Sequence, residues 1–255
     1  KDPLIELIKS KLFLVDFASN DKRFSSYIDA YMRGKHCASV SNYMLMLFSL
    51  SAELISNEKK TNVIKIDSRN SVAMCSFLDN FCVNVPDVID DVNIQAKPLY
   101  KVDNNTYCIL YIKFFVDKFF HSLLFDLAKE LEKQGLLDTK KTPAYVQIKQ
   151  LVGQKFTEQY LFYKVIDRVL ADKRYKKKTG EEMAKNSDGL PDFYANKGQR
   201  VLLFEFKDIQ LKRNVVTSGD YGKIIKATEN ELVENEKGRP KGVTQLANDI
   251  DKHFV

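Results

Sequence analysis

The sequence has no tryptophan, only four cysteines and no long run of apolar residues. The cysteines form no Cys-x-x-Cys pair and stand beside apolar residues, so we expect buried free thiols in a reducing compartment and no zinc site. They are Cys37, Cys75, Cys82 and Cys108. The longest apolar stretch, residues 43–50, is far shorter than the roughly 20 residues that span a membrane. Since no signal peptide is visible, we expect a cytoplasmic protein without a membrane partner.

A strong excess of one charge is also missing. The net charge is +6 and is shared between the two halves of the chain. An excess of this size does not identify a nucleic-acid partner by itself, because phosphate is neutralised locally. The chain also has no internal repeat and no low-complexity segment. Its length and ordinary apolar content allow one large domain or two smaller ones.

Residues 1–142 are predicted to form a mainly helical α+β region. Apolar spacing predicts helices at 3–17, 39–55, 71–83 and 116–134, a strand at 62–67 and a hairpin over 97–115. The polar stretch 136–143 contains a proline, and we place the domain boundary there. The role of this region is open, and we expect any homo-oligomer or larger complex to form through it.

Residues 143–255 carry a different pattern. A helix is predicted at 154–170, followed by a charged, irregular stretch at 172–189. Strands at 192–195 and 200–207 flank a turn at 196–199, and helices at 220–235 and 243–254 follow. The irregular stretch contains a basic run, consisting of Lys173, Arg174, Lys176, Lys177 and Lys178.

Two carboxylates and a lysine stand where the predicted hairpin closes. Strand side chains alternate between faces, so Glu205 and Lys207 share one face while Phe206 points to the other. The turn folds Asp192 back towards Glu205. Mg²⁺ prefers oxygen ligands, and the backbone carbonyl of Phe206 offers another one. The pattern therefore predicts a divalent metal site in which Lys207 orients water or offsets charge on a phosphate.

The sequence Pro191-Asp192, twelve residues, then Glu205-Phe206-Lys207 resembles the PD-(D/E)XK nuclease superfamily. The resemblance implies an α/β, restriction-endonuclease-like core, in which a mixed central sheet is flanked by helices. It implies that Asp192 and Glu205 bind Mg²⁺ or Mn²⁺ and that Lys207 is catalytic. The expected activity is metal-dependent hydrolysis of phosphodiester bonds, most often in DNA. A bacterial defence or restriction setting follows from family analogy alone.

Two flanking residues fit the same family. Many members carry a glutamate on the helix before the sheet, and Glu158 shares a stripe with Phe162, Val165 and Val169 that should face inward. Asp167, on a different stripe, is its rival for this role. Gln245 lies on the helix after the sheet, where several branches place a residue that touches the site, although an ordinary polar helix residue also fits this position.

The sequence departs from the family in three places. Asp249 stands where the Gln-x-x-x-Tyr variant has its tyrosine. The strand that usually precedes the Pro-Asp could come only from 174–178, which is a poor strand. The core also needs a strand after the last helix, so we expect residues 143–255 to be an incomplete core. Because the chain begins at Lys1 rather than Met, we expect a piece of a longer protein.

Three interpretations remain open. The first is an active nuclease, in which the basic run contacts phosphate, unless it is a solvated loop. The second is a catalytically inactive nuclease-fold module that binds nucleic acid or acts as a scaffold in a larger complex. The third is an interaction protein with an accidental motif, in which Glu205 and Lys207 form a surface ion pair. Metal-dependent cleavage separates the first from the second, and metal binding separates the first from the third.

Overall fold

The structure is a computed structural model that describes residues 2–56, 61–67, 71–83, 91–184, 190–209 and 211–253. Helices and two small, three-stranded antiparallel sheets make a mixed α and β protein, as predicted in coarse terms. The chain divides into two compact units, Lys1–Leu151 (unit 1) and Val152–Val255 (unit 2). The division lies after the polar stretch in which we placed the boundary, because most of the helix Ala144–Val152 belongs to unit 1.

Unit 1 contains eight α-helices within its described residues. Asp2 accepts a hydrogen bond from the backbone N–H of Leu4 and begins the first helix, and Asp21 caps the second in the same way. The helices are α1 (Pro3–Lys11), α2 (Lys22–Gly34), α3 (Val40–Ser56), α4 (Ser71–Asp79), α5 (Asp91–Ala96), α6 (Ile112–Asp117), α7 (Leu123–Lys133) and α8 (Ala144–Val152). A π-helix (Leu12–Phe17) and a 3₁₀ turn (Ala18–Asn20) follow α1.

The sheet of unit 1 has the order β1-β3-β2, with β1 at Val63–Lys65, β2 at Leu99–Lys101 and β3 at Thr106–Ile109. β2 and β3 form the predicted hairpin, but the expected strand over 107–115 ends at Ile109. From Ile112 onward the chain is helical, because Phe115, Val116 and Phe119 are buried together at helical spacing.

The core of unit 1 is rich in aromatic rings. Tyr31, Tyr43 and Phe77 pack edge to face in series, with ring centroids 6.0 and 5.3 Å apart. All four cysteines are free thiols, of which two are buried and two half-buried. Burial raises the pKa of the Cys82 thiol to about 11, which keeps it protonated and unreactive.

Unit 2 begins with a second π-helix (Gly153–Phe162), which continues into α9 (Tyr163–Val169). An antiparallel sheet follows in the order β4-β5-β6. Its strands are β4 (Lys176–Thr179), β5 (Phe193–Lys197) and β6 (Arg200–Phe204), and α10 (Gly180–Ala184) follows β4. The helices after the sheet are α11 (Arg213–Val216), α12 (Tyr221–Leu232) and α13 (Gly242–His253).

Three local predictions for unit 2 are wrong. The chain over 176–179 is a strand, because its backbone pairs with β5 in the register Lys178↔Tyr194. The turn is tighter than expected: Lys197 pairs with Arg200, and Gly198 takes the positive φ of 62° that a two-residue turn requires. The last strand ends at Phe204, before the Glu205-Phe206-Lys207 triplet.

A further wrong prediction concerns the inward face of the helix at 154–170. Val165 and Val169 are 48% and 72% exposed, so the inward stripe expected with Glu158 does not form. The π-helix closes i→i+5 hydrogen bonds and shifts the phase of every later position. Instead, the inward-facing side chains pack on Leu170, Phe193 and Ala195; they are Phe162, Tyr163 and Ile166.

α13 lies beside β6. Leu246 and Ile250 of α13 line an open, mainly apolar groove of about 530 Å³ together with residues 201–204 of β6. The helix therefore approaches the end of the strand that leads into Glu205. Among the described residues, no helix has the length and apolar character needed to cross a membrane.

Candidate functional site

Asp192 is fixed at the start of β5 from two sides. Its carbonyl oxygen accepts a hydrogen bond from the Gly180 N–H at 2.7 Å. Its carboxylate accepts one from the Phe206 N–H at 2.6 Å. A Cβ atom at Gly180 would lie 3.1 Å from the Asp192 carbonyl, so glycine permits this close approach. The hairpin thus brings Asp192 beside the Glu205-Phe206-Lys207 segment, as predicted.

The same contact explains why β6 is short. Beyond Phe204 the next backbone N–H that needs a partner belongs to Phe206, and the Asp192 side chain takes the place of a backbone carbonyl. The segment therefore leaves the sheet while staying next to it. As predicted, Phe206 points away from the face of Glu205 and Lys207. Its ring packs on Phe162 with a centroid distance of 5.2 Å.

The side chain of Glu205 is deeply buried. It is 6% exposed, and one carboxylate oxygen accepts a hydrogen bond from the Lys207 ammonium at 2.5 Å. The other oxygen, Oε2, is buried without a hydrogen-bond partner among the described residues. Burial raises the pKa of Glu205, and the nearby charges of Asp192 and Asp249 raise it further, while Lys207 lowers it. A bound cation would satisfy both the unmet oxygen and the repulsion.

Glu158, not Asp167, belongs to this electrostatic neighbourhood. Partial burial raises the pKa of Glu158, and the carboxylates of Asp192 and Glu205 add to the effect, while Lys207 opposes it. Asp167 is 68% exposed on its side chain and forms an ion pair with Lys177 at 2.6 Å. The structure therefore places the preferred glutamate near the hairpin acids and the rival aspartate elsewhere.

Sequence reasoning missed three residues around the site. Asp249 on α13 is buried and its charge acts on Glu205; its only sequence signal was its place four residues after Gln245. Glu181 on α10 acts on Glu158. Tyr163 on α9 has a pKa raised by burial, then by Glu158, Asp192 and Glu181.

Gln245 is half-buried on α13, one helical turn before Asp249. Because residues at i and i+4 share a face of a helix, both side chains lie on the same side of α13. That side includes the buried Asp249, whose charge reaches Glu205. The placement agrees with the expected position, while a role for Gln245 stays a prediction.

The basic run is divided by the structure. Lys177 points with Ala195 to the packed face of the sheet and pairs with Asp167. Arg174 is held by Asp172 at 2.7 Å. The other members are exposed; they are Lys173, Lys176 and Lys178. By strand alternation and register, Lys176 and Lys178 lie on the same sheet face as Tyr194 and thus as Asp192. The expectation of a wholly irregular loop is therefore wrong.

The oxygen ligands at this site suit Mg²⁺ or Mn²⁺ in chemistry, but they do not all lie around one point. Asp192, Glu205 and Glu158 offer carboxylate oxygens, which hard divalent cations prefer. The unmet Oε2 of Glu205 and the mutual repulsion of the acids fit a cation. The described residues nevertheless contain no group of three or more His, Cys, Asp or Glu side chains close enough to hold a metal ion. The Lys207 ammonium pairs with Glu205 instead.

Comparisons with protein-family models, with curated proteins and with solved structures gave no match for this chain. The chemistry of the site therefore rests on its own residues, on the order of the elements that carry them and on the charges that surround them.

Proposed function

We propose that unit 2 is a nuclease core of the PD-(D/E)XK type that hydrolyses phosphodiester bonds, in DNA first of all, with Mg²⁺ or Mn²⁺. The observation that carries the proposal is the buried Glu205 carboxylate, with one oxygen unsatisfied, beside Asp192 and Lys207 where β5 and β6 open. A buried acid surrounded by other acids is costly unless a cation or proton joins it. A metal site at Glu205 would supply that cation.

The order of elements supports the finer assignment of the fold. A helix (Tyr163–Val169) precedes the antiparallel meander β4-β5-β6, and helices follow it. This is the order of the restriction-endonuclease-like core up to its last strand. In this assignment, β4 is the strand that precedes the Pro-Asp. Its basic composition over residues 176–178 gave no strand signal in the sequence.

Each residue has a distinct role in the proposal. Asp192 and Glu205 would hold the cation, Glu158 would complete the acidic side, and the Phe206 carbonyl is a further oxygen beside Asp192. The bound cation would polarise a phosphate oxygen and lower the pKa of a bound water. Lys207 would stabilise negative charge that builds on the phosphate once its ammonium leaves Glu205. Lys176 and Lys178 would contact neighbouring phosphates.

A second candidate is a nucleic-acid-binding or scaffolding module without turnover. The observations that favour it are the Glu205–Lys207 ion pair and the lack of a converged three-ligand group among the described residues. In an inactive module this pair would be a permanent neutralising contact. In an active nuclease it would be exchanged when the cation binds.

The test is a cleavage assay with the whole chain on supercoiled plasmid, linear duplex, single-stranded DNA and RNA. Reactions contain Mg²⁺, Mn²⁺ or EDTA, and calorimetry measures Mn²⁺ binding separately. Asp192→Ala should lose both cleavage and metal binding. Lys207→Ala should lose cleavage by about 10²–10³-fold and keep metal binding, because a protonated ammonium is not a ligand.

Matched controls come from exposed positions of α12, where Glu229→Ala and Lys226→Ala remove the same charges from residues that have no role in the proposal. Both should retain wild-type cleavage. If Lys207→Ala cleaves as fast as Lys226→Ala, the catalytic assignment is wrong. Mn²⁺ binding without any cleavage of the four substrates would favour the inactive module.

A further inference from the structure

One face of the β4-β5-β6 sheet combines lysines with a central tyrosine. Along β5, Phe193 and Ala195 are 3% and 0% exposed on the packed face, so Tyr194 between them points to the opposite, outer face. The cross-strand neighbours of Tyr194 are Lys178 and Leu203. By strand alternation, the outer face consists of Lys176 and Lys178 of β4, Tyr194 and Asn196 of β5, and Val201 and Leu203 of β6.

Both flanks of the outer face are exposed. Lys176 and Lys178 are exposed on β4, and Val201 is 44% exposed on β6. Within the described part of the chain, neither of these lysines forms an ion pair, whereas Lys177 on the opposite face pairs with Asp167. Two ammonium groups are therefore available to bind phosphate along one side of the outer face.

A tyrosine ring beside lysines suits an unpaired nucleotide. Aromatic rings stack on the flat face of a base, and lysines neutralise the phosphates next to it. In a duplex the faces of the bases are covered by their neighbours, and only the edges of the bases reach the grooves. The chemistry of the outer face therefore favours a single strand over a duplex.

The outer face leads to the acids of the candidate site. Asp192 comes two residues before Tyr194 in the chain, and Glu205 comes two residues after Leu203 of β6. Two residues of extended chain span about 7 Å. A nucleotide stacked on Tyr194 would therefore have a neighbouring phosphate within reach of both carboxylates.

We propose that the outer face binds single-stranded nucleic acid, with a base stacked on Tyr194 and adjacent phosphates on Lys176 and Lys178. The inference rests on the function proposed for unit 2, because it names single-stranded DNA or RNA as the substrate that the acids cleave. Tyr194 determines specificity in this role, since its ring requires a base whose face is exposed.

The first test measures binding without cleavage. The whole chain in EDTA is titrated with a labelled single strand, a duplex of the same length, and a strand with abasic sugars in place of its bases. Fluorescence anisotropy should show an affinity about tenfold higher for the single strand than for the duplex. Tyr194→Leu should lose about tenfold on the single strand and none on the abasic strand, because it removes one base–aromatic stack. Tyr194→Phe keeps the ring and should bind like wild type.

Tyr221→Leu is the matched control, because Tyr221 is 75% exposed on α12 and has no role in the proposal. It should bind all three nucleic acids like wild type, and circular dichroism checks that each variant is folded. The stacking contact is wrong if Tyr194→Leu binds the single strand as tightly as Tyr221→Leu does. A wild-type chain that prefers the duplex, or that binds both equally, overturns the substrate class.

A cleavage assay separates this inference from the function on which it rests. With Mg²⁺ and subsaturating substrate, wild type should cut the single strand faster than the duplex. Tyr194→Leu should slow the cutting of the single strand about tenfold, in proportion to the binding that it loses. Cleavage that Tyr194→Leu leaves unchanged would overturn the stacking role and retain the nuclease. Binding of the single strand through Tyr194 without any cleavage would support the outer face and contradict the nuclease.

Discussion

Unit 1 and unit 2 use their side chains differently. Unit 1 surrounds its helices with buried rings and aliphatic groups; of the largest fully buried side chains among the described residues, Phe156 is the one that lies in unit 2. Unit 2 has a small core around Leu170, Phe193 and Ala195, and it gathers acids next to that core. Unit 1 also buries charged side chains, namely Glu6, Asp117 and Lys118, but the acids that raise one another's pKa next to a strand end lie in unit 2.

The difference indicates where in this chain to look for chemistry. In unit 2, carboxylates lie close enough to raise one another's pKa although separation would relieve the repulsion. Repulsion between these acids lowers the stability of the metal-free protein. A bound cation would offset that loss of stability.

The largest expected effect concerns the cores themselves. Phe115→Ala in unit 1 should lower the free energy of unfolding by about 3–5 kcal/mol, because the ring is fully buried against Phe119. Phe204→Ala in unit 2 should cost about 1–3 kcal/mol, because the ring is half-buried beside an open groove. Urea unfolding measures both, and amide exchange assigns each loss to a unit. Equal costs would contradict the contrast between the two cores.

The basic strand gives the next largest effect. Replacing Lys176 and Lys178 together by glutamate should weaken nucleic-acid binding by about 10–100-fold and lower the salt dependence by about two phosphate contacts. Lys177→Glu should leave the salt slope unchanged, because that side chain faces the other way and pairs with Asp167. Fluorescence anisotropy over a salt series measures this. A slope that changes equally in both proteins would remove β4 from the interface.

Variants of Glu158 and Asp167 test which of the two acids belongs to the proposed metal site. Glu158→Gln should weaken Mn²⁺ binding by about tenfold, as loss of a supporting acid does at other metal sites. Asp167→Asn should leave Mn²⁺ affinity unchanged, since that carboxylate pairs with Lys177 and is largely exposed. Calorimetry of the two variants at one pH decides between them. If Asp167→Asn is the weaker binder, the assignment of the acidic side is reversed.

The smallest expected effect is a dependence of stability on pH. The pKa of Glu205 is raised in the folded state, so ionisation opposes folding at neutral pH, and the penalty disappears below the ordinary pKa of glutamate. Glu205→Gln should therefore stabilise the metal-free protein at neutral pH by about 1 kcal/mol, or about 2–4 °C in Tm for a chain of this length. At acid pH it should give no gain. Thermal unfolding in EDTA at both pH values tests the sign, which a loss of stability at neutral pH would contradict.

The sequence predicted the hairpin that joins Asp192 to Glu205, because a glycine turn between apolar strands leaves few other pairings. It predicted helices over 220–235 and 243–254, close to the observed Tyr221–Leu232 and Gly242–His253, because helical periodicity is a local signal. It failed over 176–179, where three consecutive lysines have little strand propensity. Pairing with β5 overrides that propensity, which no local pattern of residues reveals.

The sequence alone identified Asp192, Glu205 and Lys207 as candidate site residues, since the Pro-Asp and Glu-x-Lys spacing and strand alternation depend only on neighbouring positions. The tertiary structure decided the rest. It buried Glu205 beside Asp249, chose Glu158 over Asp167 through a π-helix, and turned Lys177 away from its neighbours in the basic run. These outcomes depend on packing between elements that are far apart in the chain. The packing energy is shared among many residues, so no single stretch of sequence predicts it.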